Sequence, residues 1–142
     1  MKDISNELIV YSVENDLSVT EYIELLADSE LGPLRPIHDP DRIESMLNHS
    51  NLIITARLNN QLIGLSRSLT DEGFCTYVSD LVVRNSFKKI GIGRKLIKKT
   101  KNTYPDAMIV VLALPNSGQY YTHVGFTQYQ EAFILKDWDE VT

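Results

Sequence analysis

Hydrophobic and polar residues follow one another along the chain in patterns that predict ten elements of secondary structure. Short apolar runs and alternating apolar positions are typical of strands, whereas apolar positions three and four residues apart are typical of helices. Strands are predicted at 8–13, 52–58, 61–69, 74–83, 107–113 and 133–135, and helices at 18–27, 39–47, 91–101 and 117–123. The order β-α-α-β-β-β-α-β-α-β predicts an α+β fold, in which helices flank a central, mixed and mostly antiparallel sheet.

Local signals mark several boundaries of these elements. Residues 18–21 (Ser-Val-Thr-Glu) have the spacing of a capping box, and Asp39-Pro40 is a typical helix start. The pair Asn59-Asn60 predicts a tight turn between two strands. Two prolines and a glycine exclude regular structure from the segment 31–36.

Two apolar segments determine the expected centre of the sheet. The segment 74–83 is long and apolar enough to lie at the centre, and the segment 107–113 is apolar throughout, which predicts a strand buried on both faces. Because a helix at 91–101 separates them, the two strands are predicted to be parallel and joined by a crossover.

Composition and length favour one domain, 1–142, because no repeat or low-complexity linker interrupts the 142 residues. The chain has no apolar run long enough for a transmembrane helix, and its acidic first residues are unlike a signal peptide. The single cysteine, Cys75, fits a reducing compartment. The net charge of −5 argues against a nucleic-acid partner. We therefore expect a cytoplasmic protein without a nucleic-acid or membrane partner.

Positive charge is concentrated in one short segment of this acidic chain. Eight of the fourteen basic residues lie there: Arg84, Lys88, Lys89, Arg94, Lys95, Lys98, Lys99 and Lys101. Such a run is either a solvated helix face or a local anion site.

A glycine pair at the start of the helix favours the anion site. The first turn of a helix has backbone N–H groups without partners and a partial positive charge, and Gly91 and Gly93 leave room for a phosphate to approach them. Two common phosphate loops do not fit, because Leu96 stands where a dinucleotide fingerprint has its third glycine, and Arg94-Lys95 follows Gly93 where a P-loop has Lys-Ser/Thr.

The stretch 80–96 resembles motif A of the GNAT superfamily of N-acetyltransferases, in which a strand leads into Arg/Gln-x-x-Gly-x-Gly/Ala. Residues 88–93 (Lys-Lys-Ile-Gly-Ile-Gly) match this pattern, with Lys88 in place of the commoner Arg or Gln. Residues 114–126 are similar to motif B, a Phe/Tyr-Tyr-x-x-x-Gly-Phe box, and the order of elements from 8 to about 135 also resembles that family. The resemblance implies the GNAT fold and acetyl-CoA as co-substrate, with no metal.

The resemblance also implies residue roles in binding acetyl-CoA. Backbone groups on the strand would pair with the pantetheine arm, and amides of the loop would hold the pyrophosphate. The residues concerned are Leu81, Val82, Val83, Lys88, Lys89, Ile90, Gly91, Ile92, Gly93, Arg94, Asn116 and Tyr121. For Asn116, a helix N-cap is an equal alternative.

Tyr121 matches the tyrosine that protonates the departing CoA thiolate in this family, and an aromatic packing role is the alternative. Its neighbour Tyr120 is expected in the core, since adjacent residues on a helix point in different directions.

An acceptor amine is mostly protonated at neutral pH and must lose a proton before it attacks. Asp80, acting as a base or through a water relay, is the candidate proton acceptor, and Tyr77 and Ser79 lie where some family members place one. Arg35 and Arg67 are candidate ligands for an anionic group on the acceptor, with plain surface roles as the alternative. The three histidines, 38, 49 and 123, are expected on the surface.

Two functions follow from these observations. The first is an N-acetyltransferase that moves the acetyl group of acetyl-CoA to a primary amine of a small molecule or peptide, by direct attack in a ternary complex. The second is a non-catalytic CoA-binding sensor or interaction module with the same fold. The segments 63–71 and 34–36 resemble a GNAT subgroup that includes plant arylalkylamine acetyltransferases, which suggests a small amine. The sequence leaves open whether the chain acts alone or as a homodimer.

Overall fold

The computed structural model describes residues 8–142, and these residues form strands and helices in nearly the predicted order. The strands are β1 (Ile9–Val13), β2 (Leu52–Leu58), β3 (Gln61–Thr70), β4 (Cys75–Val83) and β5 (Met108–Val111); the helices are α1 (Val19–Ala27), α2 (Pro40–Asn48), α3 (Ile92–Thr103) and α4 (Gly118–His123). The chain divides into two compact units after Val111. The first unit contains the sheet and α1–α3, and the second contains α4.

The sheet has the order β1-β2-β3-β4-β5. Neighbouring strands from β1 to β4 are antiparallel, and β4 and β5 are parallel because α3 carries the chain from the end of one to the start of the other. The mixed, mostly antiparallel sheet predicted from the sequence is therefore confirmed.

The predicted local signals are also present. The Ser18 hydroxyl accepts a hydrogen bond from the Glu21 amide at 3.2 Å, and Asp39 caps α2 with Pro40 in its first turn. Asn59 and Asn60 both have positive φ, 48° and 66°, as a two-residue turn between antiparallel strands requires.

Helices α1 and α3 lie on opposite faces of the sheet, and two adjacent residues of β3 demonstrate this. The Ser66 hydroxyl bonds to Thr100 of α3 at 2.8 Å, whereas Arg67 reaches Tyr22 of α1. Because successive strand residues point to opposite faces, α1 and α3 cover different faces. The α3 side buries a cluster that includes Ile54, Ile92 and Leu96.

Three details of the predicted fold are wrong. A short 3-10 turn at Gly32–Leu34 interrupts the segment expected to be irregular, because Pro33 in its first turn needs no N–H partner. β4 is the second strand from the edge, and the centre is β3. β5 is an edge strand among the described residues, with Met108 45% and Val110 43% exposed, because an apolar run alone does not distinguish an edge strand from a buried one.

The predicted strand at 133–135 is absent from the described structure. Phe133 is 91% exposed, and the chain instead makes a local turn in which the Asp139 amide donates to the Lys136 carbonyl at 3.0 Å. A strand requires a partner for its backbone, and no ladder pairs this segment with another part of the described chain.

Candidate active site

Strand β4 continues for five residues beyond its last pair with β5. The two strands pair from Cys75–Met108 to Val78–Val111, whereas β4 runs on to Val83. On its other side, β4 stays paired with β3 through a bulge that leaves Ser79 without an opposite residue. Within the described sheet, Leu81, Val82 and Val83 therefore have a strand neighbour on one side only.

The loop after β4 turns sharply into α3. The Arg84 amide donates to the Ile63 carbonyl at 2.9 Å, and its guanidinium donates to the Leu62 carbonyl at 2.7 Å, so the strand end is fixed to β3. Lys89 and Gly91 then have left-handed φ values of 66° and 91°. For Gly91 this conformation is inexpensive, and a Cβ at that position would have no atom within 4 Å. Open space therefore lies beside the loop at this glycine.

The N-terminus of α3 is not capped by a side chain. Gly91 is the N-cap, and its carbonyl accepts the first helical bond from the Lys95 amide at 3.2 Å. The amides of Ile92, Gly93 and Arg94 thus belong to the turn that has no intrahelical acceptors. Uncapped amides, the helix dipole and open space at Gly91 together suit a phosphate group, so the residues present fit the pyrophosphate of CoA.

The cations near this loop have different surroundings. Lys88 forms an exposed ion pair with Glu30 at 2.7 Å, and Lys89 and Arg94 are exposed to solvent. The ion pair links the loop to the residues after α1. Lys88 is therefore held beside the loop by a carboxylate, while Lys89 and Arg94 face water.

A charged network lies on the α1 side of the sheet and consists of Tyr22, Arg35, Arg67 and Asp80. The Asp80 carboxylate is fully buried; one oxygen accepts from the Arg35 Nε at 2.7 Å, and the other accepts from the Arg67 Nε at 2.6 Å and from the Tyr22 hydroxyl. Two guanidinium groups therefore surround one carboxylate, which leaves the network with one excess positive charge.

The network sets the protonation of its members. Burial alone raises the pKa of Asp80, but the hydrogen bond and charge of Arg67, with the charge of Arg35, outweigh burial and hold this pKa below its usual value. Burial, and then the charge of Asp80, raise the pKa of Tyr22 well above its usual value. At neutral pH Asp80 is therefore ionised and Tyr22 is a neutral donor.

This arrangement argues against the base role expected for Asp80. A base needs a free lone pair facing the acceptor and a useful proton affinity, and both Asp80 oxygens accept hydrogen bonds from guanidinium groups. The expected ligand role of Arg67 is corrected for a similar reason: it is 5% exposed and also donates to the Ser50 hydroxyl at 3.0 Å and to the Ser79 hydroxyl at 2.8 Å. Asp80 and Arg67 are thus buried partners of each other.

Arg35 has a different place at the edge of the network. It comes from the connection between α1 and α2, its side chain is 21% exposed, and its Nη2 donates to the Ser79 carbonyl at 2.8 Å. Arg35 therefore ties this connection to the bulge in β4 and keeps some contact with solvent.

Tyr77 and Ser79 were the other candidate proton acceptors. Tyr77 is half-buried and lies two residues before the bulge. The Ser79 hydroxyl already accepts a hydrogen bond from Arg67, which makes Ser79 a weaker base.

In the second unit, Tyr121 lies on α4 between two aromatic rings. Its ring centroid is 5.4 Å from that of Tyr120 and 5.3 Å from that of Phe126, both edge-on. Burial, and then Tyr120, raise the pKa of Tyr121, so its hydroxyl keeps its proton at neutral pH and can donate it.

Tyr120 is 38% exposed, so its expected core position is wrong. Asn116 is exposed, and Ser117 occupies the N-cap of α4, so the cap alternative for Asn116 is also wrong.

Sequence reasoning missed Tyr22 and Ser50 as members of the network and its neighbourhood. One signal was available, because Arg67 and Asp80 interrupt apolar strands and buried charges are almost always paired. Tyr22 on α1 and Ser50 after α2 could not be found in the same way.

The histidines 38, 49 and 123 are exposed, as predicted. In residues 8–142, no group of three or more His, Cys, Asp or Glu side chains could hold a metal ion, and no helix is long and apolar enough to cross a membrane.

Comparison with known proteins places this geometry in a family. Residues 26–138 match the family model described as acetyltransferase (GNAT) domain, and the match runs through both compact units. The chain is 29% identical to the uncharacterised N-acetyltransferase ycf52 of Porphyra purpurea over 112 residues, which are 73% of this chain and 62% of that relative. It therefore spans less than two thirds of the relative's length.

Solved structures share the fold. A GNAT family acetyltransferase from Streptococcus pneumoniae superposes with a TM-score of 0.71 at 22% identity, covering 84% of this chain and 87% of that one. The aminoglycoside N-acetyltransferase AAC(6')-Iy, solved with the bisubstrate analogue CoA-S-monomethyl-acetylneamine, superposes with a TM-score of 0.70 at 14% identity, covering 90% of this chain and 97% of that one. With the family match over most of its length, this chain belongs to the GNAT family of acetyltransferases.

Proposed function

We propose that the chain is an N-acetyltransferase that moves the acetyl group of acetyl-CoA to a primary amine of a small molecule or peptide by direct attack in a ternary complex. The observation that carries this proposal is the uncapped N-terminus of α3 beside Gly91, directly after the one-sided end of β4. A cytoplasmic location, which the single cysteine suits, and one functional domain over 1–142 belong to the same proposal.

The phosphate loop, defined as residues 88–94, would hold the pyrophosphate through its backbone amides and through the charges of Lys89 and Arg94. The one-sided backbone at Leu81 and Val83 would pair with the pantetheine arm, because strand groups without a neighbour can take an extended ligand as one. In this assignment, backbone groups make more of the contacts with CoA than side chains do. We therefore expect Gly91 and Gly93 to matter more for CoA binding than any one cation of the loop.

The chemistry requires a proton donor and a route for the proton of the amine. The free amine attacks the thioester carbonyl, the C–S bond breaks, and the Tyr121 hydroxyl protonates the departing sulfur; its raised pKa keeps it protonated until then. Because Asp80 is held by its arginines, we assign to water the acceptance of the proton that the amine loses, and a proton from solvent returns to the Tyr121 oxygen. The role of Asp80 is then to hold Arg35 against the bulge at Ser79.

The acceptor is proposed to be a small amine. The α1–α2 connection and the half-buried Tyr77 would line its pocket, and Arg35 is the member of the charged network with solvent contact for an anionic group. A structural neighbour that acts on aminoglycosides supports a small-molecule amine in general. Arylalkylamines, polyamines, amino acids and peptides with free amines are the classes to screen by CoA release.

The engagement of both Asp80 oxygens favours the alternative of a CoA-binding module without turnover. Two substitutions separate this alternative from the enzyme. Gly93→Glu places a negative side chain at the proposed pyrophosphate site and should abolish CoA binding. Tyr121→Phe removes the proton donor and almost no volume, so it should lower the single-turnover rate by about 10²–10⁴ with a nearly unchanged CoA Kd.

Thermal shift and single-turnover measurements report the two effects separately. At a hundredfold excess over Kd, acetyl-CoA should stabilise the wild type by about 2.7 kcal/mol. No thermal shift at millimolar acetyl-CoA would refute the binding site. Binding without turnover of any acceptor in the screen would favour the non-catalytic module. A Tyr121→Phe protein with the wild-type single-turnover rate would leave Tyr121 only a packing role.

A further inference from the structure

A groove lies beside α3, on the side of the helix that faces β1. It has a volume of about 390 Å³, and its lining is formed by Tyr11, Lys95, Lys98, Lys99, Asn102 and Thr103. We propose that this groove, called the α3 groove below, binds a small molecule that carries two or more phosphate charges, at a site separate from the phosphate loop. Its volume falls within the range of about 300–1,000 Å³ that is usual for ligand sites.

The groove and the β5 side of the helix are on different sides of α3. Ile92, Leu96 and Thr100 form the buried stripe against the sheet. On one side of this stripe, Lys101 donates to the Ala107 carbonyl, directly before β5. On the other side, Lys95 lies near Tyr11 of β1, at the opposite edge of the described sheet. A ligand in the groove therefore meets a different set of side chains from a ligand at the start of the helix.

The cations of the groove have no carboxylate partner. Helix α3 has five basic residues and no acidic one, and none of these five takes part in the ion pairs of residues 8–142. Lys98 is four residues after Arg94 and three after Lys95, which places like charges side by side on the helix. An anion in the groove would relieve this repulsion, and residues 8–142 place no carboxylate in an ion pair with these cations.

Tyr11 supplies a second, independent observation. Its hydroxyl is buried and has no hydrogen-bond partner in the described structure, and burial raises its pKa. The Lys95 ammonium lies 5.9 Å from the centre of its ring. Ammonium groups only donate hydrogen bonds, so the lysines cannot satisfy the hydrogen of the Tyr11 hydroxyl. Among the described residues, nothing accepts the hydrogen of the Tyr11 hydroxyl, and a phosphate oxygen is such an acceptor.

Charge and size favour a small phosphorylated ligand over a nucleic acid. The whole chain has a net charge of −5, so a long polyanion that reached beyond α3 would meet an acidic protein. A compact ligand confined to the groove avoids that repulsion. Lysine is a common phosphate ligand, acting as a point charge, and the amide of Asn102 adds donors at the far end of the groove. The Thr103 hydroxyl already donates to the Lys99 carbonyl at 2.7 Å and adds none.

Titration of the ¹⁵N-labelled protein with inorganic tripolyphosphate, followed by amide NMR shifts, tests the proposal without acetyl-CoA. We expect saturable shifts at 11 and at 95–103, fitted separately from any shifts at 88–94. Lys98→Glu should weaken binding at the groove by about tenfold or more. Lys136→Glu, which makes the same change in net charge outside α3, should leave the groove affinity unchanged.

Four results would overturn the proposal. Shifts confined to 88–94 would assign the ion to the phosphate loop alone. If tripolyphosphate bound the groove equally well in the wild type and in Lys98→Glu, the lysines would not be its ligands. If Lys98→Glu and Lys136→Glu lost the same affinity, the effect would come from net charge alone. Citrate, a multivalent carboxylate, serves as the second ligand; if it binds as tightly as tripolyphosphate, the assignment to phosphate is wrong.

Discussion

The two faces of the sheet each concentrate positive charge, and they arrange it in opposite ways. On the α1 face, Arg35 and Arg67 surround the fully buried Asp80, and Arg67 itself is 5% exposed. On the other face, α3 carries five basic residues without a carboxylate partner among residues 8–142. The first group is paired and enclosed, and the second is unpaired and largely in contact with water.

Desolvation explains the difference. A guanidinium that leaves water must regain its lost hydration through a nearby carboxylate and hydrogen bonds, so a buried arginine comes with partners. An exposed lysine keeps its hydration and needs none. Charge in the network therefore contributes to holding β3, β4 and the α1–α2 connection together, whereas charge on α3 remains available to a ligand.

Removing the charge of Asp80 should have the largest effect. Asp80→Asn keeps the shape of the side chain but leaves two guanidinium groups without their anion. Removing one partner of a buried ion pair typically lowers the free energy of unfolding by about 3–5 kcal/mol. We expect a loss of this size in the free energy of unfolding, measured by urea denaturation. Asp16→Asn, at an exposed carboxylate, is the matched control and should change stability little; an equally small loss in Asp80→Asn would mean that the network adds nothing to stability.

Acid should weaken the same network by a smaller, graded amount. The pKa of Asp80 is lowered in the folded protein, so its contribution to stability is fully present above the unfolded value of about 3.9 and is lost as the pH falls through the lower folded value. The stability difference between wild type and Asp80→Asn should therefore be constant from pH 7 to about 5 and narrow at lower pH. Denaturant titrations across this range measure it. A difference that widened in acid would contradict the lowered pKa.

Removing a charge from α3 should have the smallest effect and the opposite sign. Lys98→Gln keeps a good helix former and removes like-charge repulsion with Arg94, Lys95 and Lys101. Each such pair costs about 0.2–0.5 kcal/mol, so the melting temperature should stay the same or rise slightly. Any gain should shrink in high salt, which screens exposed charges. A clear loss of stability would show that Lys98 has a structural partner.

Local chemistry was readable from the sequence alone. Three local features depend only on neighbours within a few residues, so residue spacing was enough to predict them. They are the capping residues of α1 and α2, the Asn59-Asn60 turn and the glycines at the start of α3. The order of elements and the mixed sheet also followed, because hydrophobic periodicity reports which face of each segment is buried. The family, and with it the expected position of the phosphate loop, was predicted from the resemblance of residues 88–93 and 114–126 to GNAT motifs A and B.

Tertiary structure alone decided how distant residues meet. Arg35, Arg67 and Asp80 were each identified as site residues, but their mutual pairing joins positions 13 and 45 residues apart, and it turned an expected base and an expected ligand into buried partners. The edge position of β5 and the absence of a strand at 133–135 likewise depended on what lies beside those segments. Spacing describes neighbours along the chain, whereas burial and ion pairing are set by neighbours in space.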